Sequence, residues 1–319
     1  MNRLRLKLIA CAALAPFVLS ALPAHAAGSL TQIASFGTNP GNIQMYEYVP
    51  ANLTAGRPLV VVLHGCTQSA ADMDEETGWT KWADQMGFAL LFPQQQAANN
   101  GSKCWNFFVK GDNQRGSGEP LSIKQGIDWA VAHHAIDTRR VFVTGLSAGA
   151  AMTNVMLAVY PEVFAAGAQL AGVPFKCATT VGSSLMCNAG TVNKTPVQWG
   201  NLVRGATNWT GPWPRVSVWH GTSDLTVSAT NLAETMEQWT NVHGVDQTAD
   251  TADTVAGYPH KVYRSGAGTA VVETFSITGM GHGQPVDPGT GSTQCGSATG
   301  YNLDANVCAS YHIARWFGL

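Results

Sequence analysis

The chain has 319 residues, 45% hydrophobic and only 12% charged, with 18 Lys and Arg against 20 Asp and Glu for a formal net charge of −2. It carries no basic block or stripe, which speaks against nucleic acid or an anionic membrane surface as partner. The length is ample for one large domain of mixed helices and strands.

Arg3, Arg5 and Lys7 precede an apolar run over 8–22, and Ala24-His25-Ala26 follows as a small-x-small site. That order is that of a secretory signal peptide over 1–26, with an apolar run too short to span a bilayer. Cleavage is expected after Ala26 or Ala27, and an uncleaved anchor is the rival reading. Residues 32–36 and 43–49 read as early strands around a breaker-rich turn, Gly37-Thr38-Asn39-Pro40-Gly41. The apolar run 59–63, ending at His64-Gly65, fits a strand buried on both faces of a parallel sheet. Helical spacing follows over 72–86 (Trp79, Trp82, Ala83, Met86), then a buried strand over 88–92 stopped by Pro93. Residues 94–120 form a long, polar, Gly-rich loop of the kind that usually serves function. A helix over 122–133, a strand over 141–144, a helix over 148–159 and a strand over 163–170 come next. Residues 174–214 have weak periodicity, two cysteines and several turn signals, and read as a lid or insertion stapled within itself. A strand over 216–219, a helix over 225–239, paired strands over 261–264 and 271–277, and a closing helix over 305–317 complete the pattern. Such alternation predicts an α/β fold with a mainly parallel sheet and helices on both faces. With no linker or second domain visible after the last helix, residues 27–319 are expected to form a single domain, and a monomer.

Cys11 falls within the leader. Cys66, Cys104, Cys177, Cys187, Cys295 and Cys308 remain, an even set that in an oxidising compartment reads as disulfides. About 15 pairings are formally open; joining sequence neighbours suggests Cys177–Cys187 and Cys295–Cys308, which leaves Cys66–Cys104. The spacings do not match paired CxxC zinc sites, so no metal or other cofactor is expected.

Gly145-Leu146-Ser147-Ala148-Gly149 sits between an apolar strand and a helix, the context that a G-x-S-x-G nucleophile elbow requires. A serine hydroxyl needs a base, and the base an orienting carboxylate. In α/β-hydrolase chains these follow in the order Ser, acid, His. Asp224, just past the strand ending Trp219-His220-Gly221, and His282, within Gly279-Met280-Gly281-His282-Gly283, satisfy that order. His220 reads as structural, His133 and His134 as solvated helix residues, and His243, His260 and His312 have no supporting context. Leu63-His64-Gly65-Cys66 follows the strand whose loop supplies oxyanion donors in such hydrolases, so the amides of Cys66 and Ala148 are the expected pair.

These motifs resemble those of the extracellular polyhydroxybutyrate (PHB) depolymerase-type esterases, within the α/β-hydrolase superfamily. The likeness extends to Cys104-Trp105-Asn106-Phe107-Phe108, Arg115-Gly116-Ser117-Gly118-Glu119-Pro120, Gln198-Trp199-Gly200 and Gly211-Pro212-Trp213-Pro214-Arg215. It implies a Ser147–Asp224–His282 triad, hydrolysis of polyester or oligoester by a secreted serine esterase, and a cleft in which Trp105, with His64, contacts substrate. Alternatives within the same neighbourhood are a feruloyl or acetylxylan esterase and a hydrolase of polyaspartate-type polymers. Outside it stands a binding protein on an inert hydrolase scaffold.

Overall fold

The computed structural model describes residues 28–51 and 53–319. The expected signal peptide, with Cys11, lies outside the described residues.

The chain begins with two strands, Thr31–Gln32 (β1) and Gln44–Tyr48 (β2), then the apolar strand Leu59–Leu63 (β3). The helices Ala70–Glu76 (α1) and Trp79–Met86 (α2) lead to strand Ala89–Gln94 (β4). After the long loop come helix Gly118–His134 (α3), strand Val141–Leu146 (β5), helix Ala148–Val159 (α4) and strand Ala166–Leu170 (β6). Two helices, Val181–Asn188 (α5) and Pro196–Arg204 (α6), occupy the insertion. Strand Arg215–Gly221 (β7), helix Thr230–His243 (α7) and strands Thr251–Val255 (β8), Tyr258–Arg264 (β9) and Ala270–Ile277 (β10) follow. The short strands Gln284–Val286 (β11) and Asn302–Asp304 (β12) and the helix Ala309–Phe317 (α8) close the chain.

Ten strands form one sheet in the order β1-β2-β4-β3-β5-β6-β7-β10-β9-β8. The six from β4 to β10 run parallel, and the outer strands on both sides pair antiparallel. Alternation of side chains assigns the core to two layers. Leu59, Val61 and Leu63 of β3 pack with α3, α4 and α7 through Ile123, Met152 and Trp239, among others. Val60 and Val62 face the opposite layer, where Trp79, Trp82, Ile313 and Phe317 of α2 and α8 cover them. Each such side chain, fully buried, contributes about 1.5–3 kcal/mol. The architecture is the expected α/β sheet flanked by helices.

Several expected elements differ in detail. The helix expected over 72–86 is two helices, because Gly78 takes a left-handed conformation (φ +76°) and a Cβ there would lie 2.5 Å from the Cys295 Cβ. The strand expected over 32–36 is only β1, which the sheet register ties to β2 through Thr31 and Gln32. The helix expected from 225 starts at Thr230, since Asp224 to Ser228 form a turn closed by Asp224. Strand β8, with mostly exposed residues, has no apolar alternation to announce it and is held by pairing with β9. Bridges join Cys66–Cys104, Cys177–Cys187 and Cys295–Cys308, the neighbour pairing.

Candidate active site

The parallel strands all end on one side of the sheet, and the register aligns those ends: Leu63 faces Gly145, Leu146 faces Leu170, and Ile277 faces Gly221. The loops that leave β3, β5, β7 and β10 therefore meet at one edge, where ligands bind in open α/β sheets. They carry His64–Cys66, Ser147, Asp224 and His282.

Ser147 stands at the turn from β5 into α4 with φ 57° and ψ −118°, a region disfavoured for a residue with a side chain. The turn is held by its own backbone, with the Ser147 N–H donating to Leu170 O at 2.9 Å. Two glycines make it possible. A Cβ on Gly145 would lie 2.5 Å from Gly149 O, and one on Gly149 would lie 2.2 Å from Leu63 O. Any larger residue would push the elbow away from β3. Ala148 is the first helical residue, so its N–H is one of the donors that a helix leaves unpaired at its start.

The Ser147 hydroxyl donates to His282 Nε2 at 2.9 Å, and His282 Nδ1–H donates to Asp224 Oδ2 at 2.7 Å. The other carboxylate oxygen of Asp224 accepts the N–H groups of Thr226 (2.9 Å) and Val227 (2.8 Å). His220, which is buried, donates from Nε2 to Val227 O at 2.8 Å and lies 3.3 Å from Asp224 Oδ2. Burial alone would raise the Asp224 carboxyl. The hydrogen bonds from His220, His282 and the Val227 N–H outweigh it and hold the group well below the usual carboxylate range. Asp224 is therefore an ion shared by two imidazoles, of which only His282 reaches the serine.

The loop after β3 is pinned from several sides. The N–H groups flanking Cys66 are committed: Gly65 to Gln68 Oε1 (2.8 Å), Thr67 to Ser102 O (2.6 Å) and Gln68 to Gly65 O (3.3 Å). Cys66 is bridged to Cys104. Behind them, His64 Nδ1–H donates to Gly65 O at 2.7 Å and Nε2 accepts the Gln95 N–H at 2.9 Å. Burial lowers the His64 pKa to about 4, so the ring is neutral at ordinary pH. The Trp105 indole N–H donates to His64 O at 3.0 Å. The structure thus corrects the expectation that Trp105 and His64 touch substrate. Both are completely buried beneath the loop, with their polar atoms spent on holding it, and neither lies in the cavity wall.

One carboxylate gathers the rear of this frame. Glu119, at the start of α3 and 1% exposed, accepts the Asn106 N–H and side-chain amide, each at 2.8 Å, and the side-chain amide of Gln95. Burial, with Asp112 beside it, pushes its pKa up to about 8 against those hydrogen bonds. Sequence reasoning missed Glu119 and Gln95. Glu119 falls in the stretch 94–120 expected as a loop, and nothing in its immediate neighbours marks it as buried.

Ser147 and His282 open into a cavity of about 470 Å³. Phe107, Phe108, Leu146, Ala151, Val173 and Val227 supply apolar walls, Gln68 and Asn188 polar points, and Val181 and Leu185 of α5 one rim. The lining residues include no Asp, Glu, Lys or Arg. Phe107 and Phe108 belong to a motif evident in the sequence, but only the structure shows that they, and not Trp105, face the cavity. Among the histidines left without a role, His134 meets Glu47, His243 donates to Pro214 O, and His260 lies between Asp253 and Glu273. Among the described residues no cluster of His, Cys, Asp and Glu could hold a metal, and no helix is long and apolar enough to cross a membrane.

The sequence model of the esterase PHB depolymerase family matches residues 44–257. The chain is 55% identical to poly(3-hydroxyalkanoate) depolymerase C of Paucimonas lemoignei, over 96% of this chain and 73% of that one. It is 40% identical to an acetylxylan esterase of Coprinopsis cinerea, over 82% of this chain and 71% of that one. Among solved structures, an acetyl xylan esterase from Aspergillus awamori superposes with a TM-score of 0.73 at 31% identity, covering 80% of this chain and 94% of that one. Fold, elbow and relatives agree: the chain is a carboxylic ester hydrolase and belongs to the esterase PHB depolymerase family.

Proposed function

We propose that Ser147 is the nucleophile of a secreted esterase acting on poly(3-hydroxybutyrate)-type polyesters or their oligomers. The observation that carries this reading is the chain Ser147–His282–Asp224, with contacts of 2.9 and 2.7 Å, at the base of an uncharged cavity. Ser147 Oγ attacks the ester carbonyl while His282 Nε2 takes its proton. The developing oxyanion is met by the N–H groups of Cys66 and Ala148, each such donor being worth about 3 kcal/mol in the transition state. His282 then protonates the departing alkoxide, which leaves as the hydroxyl end of one product, and the acyl group stays on Ser147. Water, activated by the same imidazole, releases the second product as an acid. Asp224 orients His282 and stabilises its charged form without taking up the proton.

The apolar walls suit a short aliphatic repeat, and the lack of Lys or Arg in the lining speaks against a polyanion such as polyaspartate. We read 27–319 as one catalytic domain behind a signal peptide, and residues 174–214 as a lid-like insertion whose helix α5 forms a rim of the cavity. The three disulfides suit an oxidising compartment.

The acetylxylan esterases among the relatives favour a second reading, deacylation of plant polysaccharide. A panel of 3-hydroxybutyrate oligomers, acetylated xylan and feruloyl sugars separates the two. The highest kcat/KM is expected on the oligomers, and a preference for either carbohydrate ester overturns the polyester reading. Failure of a serine-directed phosphonate to label the protein would sink the enzyme mechanism altogether.

A further inference from the structure

Three side-chain amides line the cavity, and they differ in what holds them. Asn100 is committed at both ends: its Nδ2 donates to Asn106 Oδ1 and its Oδ1 accepts the Ser102 N–H, each at 3.0 Å. Asn188, on α5, makes no side-chain hydrogen bond among the described residues. Gln68 is held at one end alone. Its Oε1 accepts the Gly65 N–H at 2.8 Å, while its Nε2 has no acceptor among the described residues. An N–H cannot donate to an NH₂ group, so the Gly65 bond fixes which end of this amide is oxygen and turns the Nε2 donors away from Gly65 N. Gln68 as a whole is only 5% exposed, yet its Nε2 is not closed off by protein, and the open side is the cavity.

That amide stands beside Ser147. A Cβ at Gly65 would lie 2.8 Å from Gln68 Oε1 and 3.4 Å from the Ser147 Cβ, so one small residue touches both groups. The backbone of Gln68 is fixed on either side. Its N–H donates to Gly65 O at 3.3 Å, closing the turn that carries Cys66. The next residue, Ser69, is the N-cap of α1, where its N–H donates to Asp72 Oδ2 at 2.7 Å. An N–H largely sheltered from water and left without a protein acceptor weakens a fold, and substrate is what can supply the acceptor here.

We propose that Gln68 is a third oxyanion donor, its Nε2–H joining the main-chain N–H groups of Cys66 and Ala148, an inference that rests on the Ser147 reading above. As Ser147 Oγ bonds to the ester carbon, the carbonyl oxygen takes up the negative charge, and Gln68 donates a hydrogen bond to it while keeping its proton. When the carbonyl re-forms and the alkoxide leaves with the proton from His282, that hydrogen bond weakens again. A neutral amide suits this uncharged wall, because a cation in its place would also hold the carboxylate product. The same side chain ties down Gly65, so the side-chain and main-chain parts of the hole move as one piece.

Gln68→Glu and Gln68→Met separate the donor from the tie. Glutamate keeps an oxygen for the Gly65 N–H and loses the donor; methionine carries no charge and loses both. Each variant is expected to lower kcat about a hundred-fold or more with KM changed less than about twofold, on p-nitrophenyl acetate and on a soluble 3-hydroxybutyrate oligomer alike. Affinity for a trifluoromethyl ketone, whose adduct with Ser147 carries the oxyanion, should fall by the same factor, with urea denaturation verifying that both variants fold. A loss in Gln68→Met alone reduces Gln68 to a tie and overturns the proposal. A loss in Gln68→Glu alone marks repulsion by the new charge and overturns it as well. So does a loss confined to the hydroxybutyrate substrate, which would put the amide on another substrate oxygen. Parental kcat in both variants, with Ser147→Ala inactive, overturns the donor and leaves the triad standing; turnover retained by Ser147→Ala overturns both.

Discussion

Glu119→Gln tests whether the frame behind the site is organised by a buried carboxyl. The folded protein raises this group from 4.5 to about 8, so between those values the folded chain holds a proton that the unfolded chain has released. Stability contributed by the neutral group is complete below pH 4.5 and is lost as pH rises toward about 8. A displacement of that size corresponds to about 5 kcal/mol as an upper scale. Half of that is already a large share of a typical folding free energy of ~5–15 kcal/mol. Glutamine has nearly the same shape and does not ionise. Its amide nitrogen, however, cannot accept an N–H as each carboxyl oxygen does, so the variant should lie about 1–3 kcal/mol below the parent at pH 5 and rise to about 2–4 kcal/mol above it at pH 9. Urea denaturation at pH 5, 7 and 9 reads the difference. Asp74, pushed up to about 6, adds a slope of the same sign to both proteins, and the comparison removes it. Parallel stability profiles would refute the reasoning. So would a variant less stable than the parent at pH 9, because three N–H donors would then be keeping the carboxylate ionised.

Asp224→Asn should reduce turnover about ten-thousand-fold with the fold intact, because the amide can no longer accept the His282 Nδ1–H as a charged partner; steady-state kinetics on a soluble ester checks this, and a silent substitution would require another acid. Ser147→Ala and His282→Gln should each lower kcat by about a million-fold. His220→Gln should lose far less, since its imidazole reaches Asp224 and Val227 O but not the serine; the reverse ranking would exchange the roles of the two histidines. Cys104→Ser should lower kcat by more than its loss of stability suggests, if the bridge to Cys66 holds in place the main-chain N–H proposed as oxyanion donor. Unchanged kcat in a folded variant would reduce that bridge to a staple, whose removal typically costs about 2–5 kcal/mol.

The elbow was legible in the sequence because its requirements are local: two glycines, a serine, and a switch from apolar run to helical spacing. Asp224 and His282 could be named because strand ends on one edge impose a chain order. Legibility failed where a side chain's facing matters. Trp105 and Phe107 stand two apart in one motif, and only the fold decides that the first is a strut and the second a wall. Glu119 falls in the stretch 94–120 expected as a loop, and its role shows only when three donors arrive from residues 95 and 106. The i, i+4 pair Val181 and Leu185 would by periodicity mark the buried side of a helix, and here it marks the exposed one. The break at Gly78 depends on Cys295, more than two hundred residues away.

The insertion between β6 and β7 is clasped by side chains of α7. Gln238 of α7 accepts the Phe175 N–H at 2.7 Å and donates to Phe175 O at 3.1 Å and Trp199 O at 3.2 Å, while Trp199 donates from its indole to Glu234. Everything between those anchor points, α5 with its own bridge included, is one contiguous piece of chain that supplies no triad residue. Such a piece behaves as a cassette. Its replacement, with the Gln238 and Glu234 sockets kept, would leave the elbow undisturbed. A graft of residues 176–198 from a carbohydrate-directed relative would replace the α5 rim of the cavity and leave the catalytic edge, with the walls at Phe107, Phe108, Val173 and Val227, unaltered.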